Sequence, residues 1–177
     1  MVKQIILLLG GARSGKSYYA QQLAAELGDK VLFVATGEAL DEEMEARIKQ
    51  HKKDRPQTWK TLEVTTGIGK AIEKHIGDAE VVVIDCITLL ISNLIQGKSK
   101  DSGKETRVKS EITKLIQTMD RLEADFVIVS NEVGMGLVPD NKLGRIYRDL
   151  LGKANQQLAN HATEVYLMLA CLPLQVK

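Results

Sequence analysis

Five apolar runs rich in β-branched residues punctuate the chain: Ile5–Leu9, Val31–Ala35, Val81–Ile84, Phe126–Ser130 and Val165–Ala170. Runs that are apolar at successive positions suit strands buried on both faces. Between them the period changes to that of helices. Tyr19, Leu23 and Leu27 recur every four residues; Val108, Ile112, Leu115, Met119 and Leu122 form a second stripe; Leu143, Ile146, Tyr147, Leu150, Ala154 and Leu158 form a third. Strand and helix in alternation predict an α/β fold, a mainly parallel sheet with helices on both faces. The short alternating run "TLEVT" (61–65) predicts an additional strand at an edge. The polar segment "GKSKDSGKET" (97–106) reads as a flexible loop, too short to separate domains, and no internal repeat is visible. Residues 1–177 therefore read as a single domain.

Composition narrows the partners. Lys and Arg number 24 against 23 Asp and Glu, a net charge of +1, so no overall field draws the chain towards nucleic acid or a membrane surface. Any anion site must be local. Cys86 and Cys171 sit in or beside apolar runs without C-x-x-C spacing, which predicts two buried, reduced thiols. The run "IILLL" is too short for a secretory core, and no stretch reaches the roughly twenty residues of a membrane span. A soluble, cytoplasmic protein with no membrane span is expected.

The strongest local signal is "GGARSGKS", comprising Gly10, Gly11, Ala12, Arg13, Ser14, Gly15, Lys16 and Ser17. It fits G-x-x-x-x-G-K-[ST] between the first strand and the first helix, the context that a phosphate-binding loop requires. Glycines let successive N–H groups turn inward, and the helix N-terminus adds partial positive charge. Lys16 is expected to reach the β and γ phosphates and the Ser17 hydroxyl to ligate Mg²⁺. The third strand ends "VVVIDC", which places Asp85 at a carboxyl edge, where open α/β sheets bind ligands, and makes it a second candidate metal ligand. The competing account of Asp85 is a strand-end cap.

Three classes of nucleotide protein compete: a small-molecule kinase or nucleotidyltransferase, a GTPase switch, and a non-catalytic binding module. "DNKLG" (Asp140 to Gly144) invites the switch, but Gly144 occupies the position of a guanine-reading Asp and the segment lies past its strand, near a helical stripe. A histidine-bearing basic segment speaks against a binding module. "ARIKQHKKDRP" (Ala46 to Pro56) holds His51 among five cations. Asp41, Glu42 and Glu43 suit a helix start, and Leu40, Met44, Ile48 and His51 fall on one stripe, away from Lys49. Flanking cations lower a histidine's pKa, and neutral imidazole is a nucleophile where ammonium and guanidinium are not. On these residues alone, a polar residue finishing an apolar stripe competes with a nucleophile.

At these positions the chain resembles the bifunctional adenosylcobinamide kinase / adenosylcobinamide-phosphate guanylyltransferase family of cobalamin biosynthesis. The likeness runs through "GGARSGKS", "VATGEALDEEMEARI", "HKKDRPQTWKTLE" (His51 to Glu63), "DCITLLISNL" and "SNEVGMGLVP", in order and over nearly the whole chain. It implies a RecA-like P-loop NTPase fold and a single catalytic domain. It also implies that His51 attacks the α-phosphate of GTP and carries GMP as a phosphoramidate. Some relatives have two adjacent histidines there, whereas this chain has Gln50 then His51. Ala35, Thr36, Gly37, Lys52, Lys53, Asp54, Arg55, Glu63 and Asp85 are implied to approach the guanine nucleotide. Thr36 can donate a hydroxyl, Lys52 and Arg55 can neutralise phosphate, and Glu63 can accept from guanine N1 and N2, or stand on a solvated strand face. The implied reactions are phosphorylation of adenosylcobinamide by ATP or GTP, then transfer of GMP from GTP to adenosylcobinamide phosphate, with Mg²⁺ as cofactor and a homotrimer as the assembly. A P-loop kinase of another small metabolite, with His51 structural, is the alternative. Asn131 and Glu132 receive no role; His75 and His161 read as structural, without partners; Trp59 either orders the loop after His51 or packs.

Overall fold

The protein is described by a computed structural model over residues 3–38, 42, 49, 52, 55–96 and 101–177. Its strands are β1 (Ile5–Gly10), β2 (Val31–Ala35), β3 (Lys60–Glu63), β4 (Val81–Asp85), β5 (Asp125–Val129), β6 (Glu164–Leu169) and β7 (Leu172–Gln175). Its described helices are α1 (Lys16–Leu27), α2 (Ile68–His75), α3 (Ile87–Ile95), α4 (Asp101–Arg121) and α5 (Lys142–His161). The sheet order is β3-β2-β4-β5-β1-β6-β7, parallel throughout except for the β6–β7 hairpin.

Packing explains the unbroken apolar runs. Successive side chains of a strand face opposite ways. Ile6, Leu8, Phe33, Val83, Val127 and Val129 pack on α1, whose Ala20 and Ala24 are fully buried. The small alanines bring the helix backbone close to the sheet, and Tyr19, Leu23 and Leu27, the stripe visible in the sequence, lie half-buried along its flanks. Leu7, Leu32, Val34, Ile84, Phe126 and Ile128 point the other way into a core shared with α2, α3, α4 and α5. Helices on both faces bury both sides of the sheet, so an alternating pattern would have failed here.

Two expectations change, and one strand is new. Residues 101–106 are the first turns of α4, not loop, while 97–100 lie outside the described residues. The Val108, Ile112, Leu115 and Met119 stripe is fully buried or nearly so, and that packing carries the helix through Gly103. An ion pair of 2.5 Å from Lys153 to Glu105 ties this first part to α5. β7 escapes sequence reading because all four residues, Pro173 among them, are exposed and carry no period. Cys171 is exposed, against the expected burial, because it lies in the turn between β6 and β7 with φ of 67°. "TLEVT" does hold an edge strand, paired to β2 from Lys60 to Glu63. "DNKLG" supplies a helix cap: Asn141 Oδ1 accepts from Gly144 N–H at 2.7 Å.

Candidate active site

The loop between β1 and α1 is held on both sides. The main-chain N–H of Glu132 donates to the Gly10 carbonyl at 3.0 Å, and Cys171 N–H donates to the Ser14 carbonyl at 3.0 Å. Gly10 and Gly15 have φ of 152° and 91°. A Cβ on Gly10 would lie 2.6 Å from the Met168 carbonyl, and one on Gly15 would lie 2.8 Å from Cys171 Sγ. Both positions thus require glycine for angle and for space. Lys16 is buried, and its Nζ donates to the Gly11 carbonyl at 2.5 Å and to Ser14 Oγ at 3.2 Å. The ammonium is curled over the loop it is expected to serve, where a phosphate oxygen would compete for the same donors.

All eight loop residues but Gly10 and Gly11 line a cleft of about 1650 Å³, together with Ala35, Gly37, Lys49, Lys52, Arg55, Glu63 and Asp85. A drug-sized ligand fills roughly 300–1,000 Å³, so there is room for a nucleotide and part of a second substrate. Glu63, at the end of edge strand β3, pairs with Lys52. A smaller cavity of about 340 Å³, lined by Trp59, Thr61 and Gln57, shares Lys52, Arg55, Pro56 and Glu63 with the large one. Arg55 lies over the Phe33 ring, and its Nε and Nη1 are buried with no hydrogen-bond partner among the described residues. Burial draws its pKa down from the ordinary value, against the opposing charges of Asp85 and Glu63. Buried N–H donors left without a partner are costly unless something else accepts from them, and a phosphate oxygen would.

Thr36 differs from expectation. It is fully buried; its hydroxyl donates to the Cys86 carbonyl at 2.6 Å and accepts from Cys86 N–H at 2.9 Å, latching β2 to β4. That proton is already engaged, so the side chain frames the cleft from behind. Asn93, which the sequence pattern does not single out, donates to the Thr36 and Thr65 carbonyls at 2.8 and 3.2 Å and holds the ends of β2 and β3 together. An amide in the mostly apolar α3, beside Ser92, is the available signal. Burial first, and the Asp85 charge second, push the Cys86 thiol up to about 11, which leaves it protonated at neutral pH.

His51, Lys53 and Asp54 lie outside the described residues. Lys49 and Lys52 are helical, and both line the cleft, although the sequence pattern sets Lys49 off the inward stripe. His75 Nδ1 is 2.8 Å from the Ala71 carbonyl of its own helix, and His161 Nε2 is 3.0 Å from Asp120 Oδ1 but makes no hydrogen bond among the described residues. Trp59 stacks on Phe33 at 6.5 Å. Ser17 and Asp85 line the same cleft and offer a hydroxyl and a carboxylate oxygen. Among the described residues no group of three or more His, Cys, Asp or Glu could hold a metal. That two-oxygen donor set fits Mg²⁺, which keeps several waters and takes the rest of its shell from substrate phosphates. No described helix is long and apolar enough to cross a membrane.

The fold is similar to that of the RadB recombinase, with a TM-score of 0.53 at 13% identity, covering 93% of this chain and 73% of that one. At that identity the likeness concerns the fold alone, a RecA-like P-loop NTPase fold. Curated relatives are closer. The chain is 40% identical to the bifunctional adenosylcobalamin biosynthesis protein CobU of Escherichia coli K12, covering 98% of this chain and 99% of the relative. It is 39% identical to the protein of that name from Salmonella typhimurium over the same shares. Against the bifunctional adenosylcobalamin biosynthesis protein CobP of Pseudomonas aeruginosa it is 36% identical, covering 97% and 96%. Residues 6–176 match the family described as cobinamide kinase / cobinamide phosphate guanyltransferase. The chain belongs to that family.

Proposed function

We propose that this member of the cobinamide kinase / cobinamide phosphate guanyltransferase family performs both reactions in the one large cleft, the second through His51. The carrying observation is that the phosphate loop, Lys49, Lys52 and Arg55 line a common cleft, with His51 between Lys49 and Lys52 in the chain. In the first reaction a hydroxyl of adenosylcobinamide takes the γ-phosphoryl group of ATP or GTP. In the second, an imidazole nitrogen of His51 bonds to the α-phosphorus of GTP as pyrophosphate leaves. An oxygen of adenosylcobinamide phosphate then displaces the imidazole, giving adenosylcobinamide-GDP.

The chain's own groups divide the work. Main-chain N–H groups of the loop and Lys16 bind the β and γ phosphates, Lys52 and Arg55 offset charge nearer the α-phosphate, and Ser17 and Asp85 hold Mg²⁺. Bound there, Mg²⁺ supplies charge neutralisation on the phosphate oxygens. Glu63 accepts from the N1 and N2 hydrogens of guanine; its pairing with Lys52 supports a carboxylate held at that end of the cleft. Covalent transfer splits the joining of two polyanions into two displacements. We further propose a homotrimer, in line with the exposed apolar Leu172, Leu174 and Val176 at the β7 edge, which support self-association; a monomeric mass by light scattering would exclude it.

Incubation with α-labelled GTP and Mg²⁺ tests the reading. Label should join the protein, be lost in acid and survive alkali, whereas γ-labelled GTP should leave none on the same residue. His51→Ala should abolish labelling and guanylyl transfer yet keep kinase activity. Continued labelling of His51→Ala would assign the nucleophile elsewhere.

A further inference from the structure

The chain leaves β5 through "SNE" beside the phosphate loop. Ser130 N–H donates to the Leu8 carbonyl at 2.9 Å and Glu132 N–H to the Gly10 carbonyl at 3.0 Å. Asn131 is thereby fixed next to the end of β1, and it lines the same cleft as Lys16, Ser17 and Asp85. Both of its main-chain polar groups are held by buried side chains. Its N–H donates to Thr88 Oγ1 at 2.8 Å, and its carbonyl accepts from Asn155 Nδ2 at 3.0 Å. Asn155 is itself oriented by Ser130, whose hydroxyl donates to its Oδ1 at 2.7 Å.

Thr88, Ser130 and Asn155 are 7%, 0% and 5% exposed, so this polar set is embedded in the protein. Buried hydroxyls and amides cost free energy that their hydrogen bonds only offset, and apolar residues of similar shape would pack there without that cost. Here they converge on the backbone of one residue. The carboxamide of that residue, by contrast, makes no hydrogen bond with any described residue. A rigidly held backbone carrying an uncommitted donor and acceptor at a cleft wall is the arrangement of a group kept for a ligand.

We propose that Asn131 is a catalytic residue of the kinase step, and that Thr88, Ser130 and Asn155 are its positioning residues. The inference rests on the reading that the phosphate loop presents a nucleoside triphosphate for phosphorylation. The Asn131 N–H₂ donates to a γ-phosphoryl oxygen and its amide carbonyl accepts from the incoming hydroxyl. That hydroxyl oxygen bonds to the γ-phosphorus as the bond to the β–γ bridging oxygen breaks. As that bond forms, the hydroxyl proton leaves its hydrogen bond to the Asn131 carbonyl for an oxygen of the transferring phosphoryl group, and the nucleoside diphosphate leaves. Asn131 takes no proton. A neutral amide suits the place because it donates and accepts at once, whereas a carboxylate would repel the phosphoryl group. The guanylyl step has no hydroxyl nucleophile and reacts at the α-phosphorus, so it does not need this group.

The two reactions are measured separately, the first with ATP and adenosylcobinamide, the second with GTP and pre-formed adenosylcobinamide phosphate. Asn131→Ala should lower kinase kcat on the order of 10²-fold, as for loss of one transition-state donor, with KM for ATP and the guanylyl reaction changed less than about threefold. Asn131→Asp, of the same shape, should lose at least as much, and it decides the matter if the alanine variant folds poorly. Thr88→Val should lower kinase kcat about tenfold while Thr88→Ser keeps it, as the cost of a hydrogen bond predicts. Kinase turnover of Asn131→Ala within threefold of wild type overturns the assignment. So does an equal loss in both reactions, which would make the segment a structural strand end. Lys16→Ala run alongside separates the two readings: if it too leaves kinase turnover intact, the phosphate-loop reading fails and takes this inference with it, whereas a loss for Lys16→Ala alone removes only the role of Asn131.

Discussion

The guanidinium carbon of Arg55 lies 3.8 Å from the centre of the Phe33 ring, in a cleft that the phosphate loop also lines. Phe33 belongs to the buried core of β2, and Trp59 stacks on it. The cation is therefore seated on a rigid apolar support, with Nε and Nη1 left unpartnered among the described residues.

Arg55→Lys should keep the charge but lose the planar fork and the ring contact. We expect the KM for GTP in guanylyl transfer to rise about tenfold, equivalent to ~1.4 kcal/mol. Stability should fall by less than about 1 kcal/mol, because the lost cation–π contact is offset by removing unpaired buried donors. Steady-state kinetics and urea unfolding on the same preparation check both; an unchanged KM would make Arg55 a packing residue.

Lys16→Ala removes an ammonium that bonds the Gly11 carbonyl. Kinase turnover should drop on the order of 10³-fold, through loss of charge stabilisation on the phosphates. Guanylyl transfer should fall with it if one loop serves both reactions. A fall in the kinase alone would point to two separate phosphate sites.

Asp85→Asn should retain the fold, since the strand-end hydrogen bonds at this position are made by backbone groups, as in Thr36 N–H to the Asp85 carbonyl at 3.1 Å. The expected change is in metal use: the Mg²⁺ concentration for half-maximal turnover should rise several-fold and turnover should slow. A normal Mg²⁺ titration with normal turnover would return Asp85 to the role of strand-end cap.

Cys86 carries a pH prediction. Its folded pKa, pushed up to about 11, exceeds the unfolded thiol value of about 8.5. Between the two the unfolded chain has released its proton and the folded one has not. The folded state binds more protons there, so stability present below about pH 8.5 is lost as pH rises towards about 11, on the order of 3 kcal/mol. Urea midpoints from about pH 8 to about pH 10.5, a range that spans most of that window, should decline in wild type more than in Cys86→Ala. Parallel declines in the two proteins would count against the shift. Iodoacetamide near neutral pH should modify the exposed Cys171 well before Cys86.

How much of this is legible in the sequence depends on the range of the interactions involved. Strands β1, β2, β4 and β5 can be read because burial on both faces demands apolar residues at nearly every position, a constraint written into adjacent letters of the chain, whereas β6 keeps an apolar run although Leu169 is exposed. The phosphate loop can be read for the same reason: its glycines, lysine and serine act within eight consecutive residues. The start of α4 at Asp101 cannot, since polar composition speaks for loop while packing downstream, from Val108 to Met119, makes it helix. Neither can the fate of Cys171, which a two-residue turn carries to the surface and sets against Gly15.

The site divides in the same way. Sequence alone determined the strand-and-helix alternation, the loop and the residue types of the basic segment, because each follows from local geometry and composition. Tertiary structure decided which of those residues meet. Strand order places Asp85 and Asn131 at the carboxyl ends of neighbouring parallel strands with β1 beyond them, so residues far apart in the chain line one cleft. It also decided that Thr36 is latched to Cys86, that Arg55 rests on Phe33, and that Asn155 holds the backbone of Asn131. Hydrogen bonds and ring contacts of this kind depend on distances across the fold, and no periodicity along the chain encodes them.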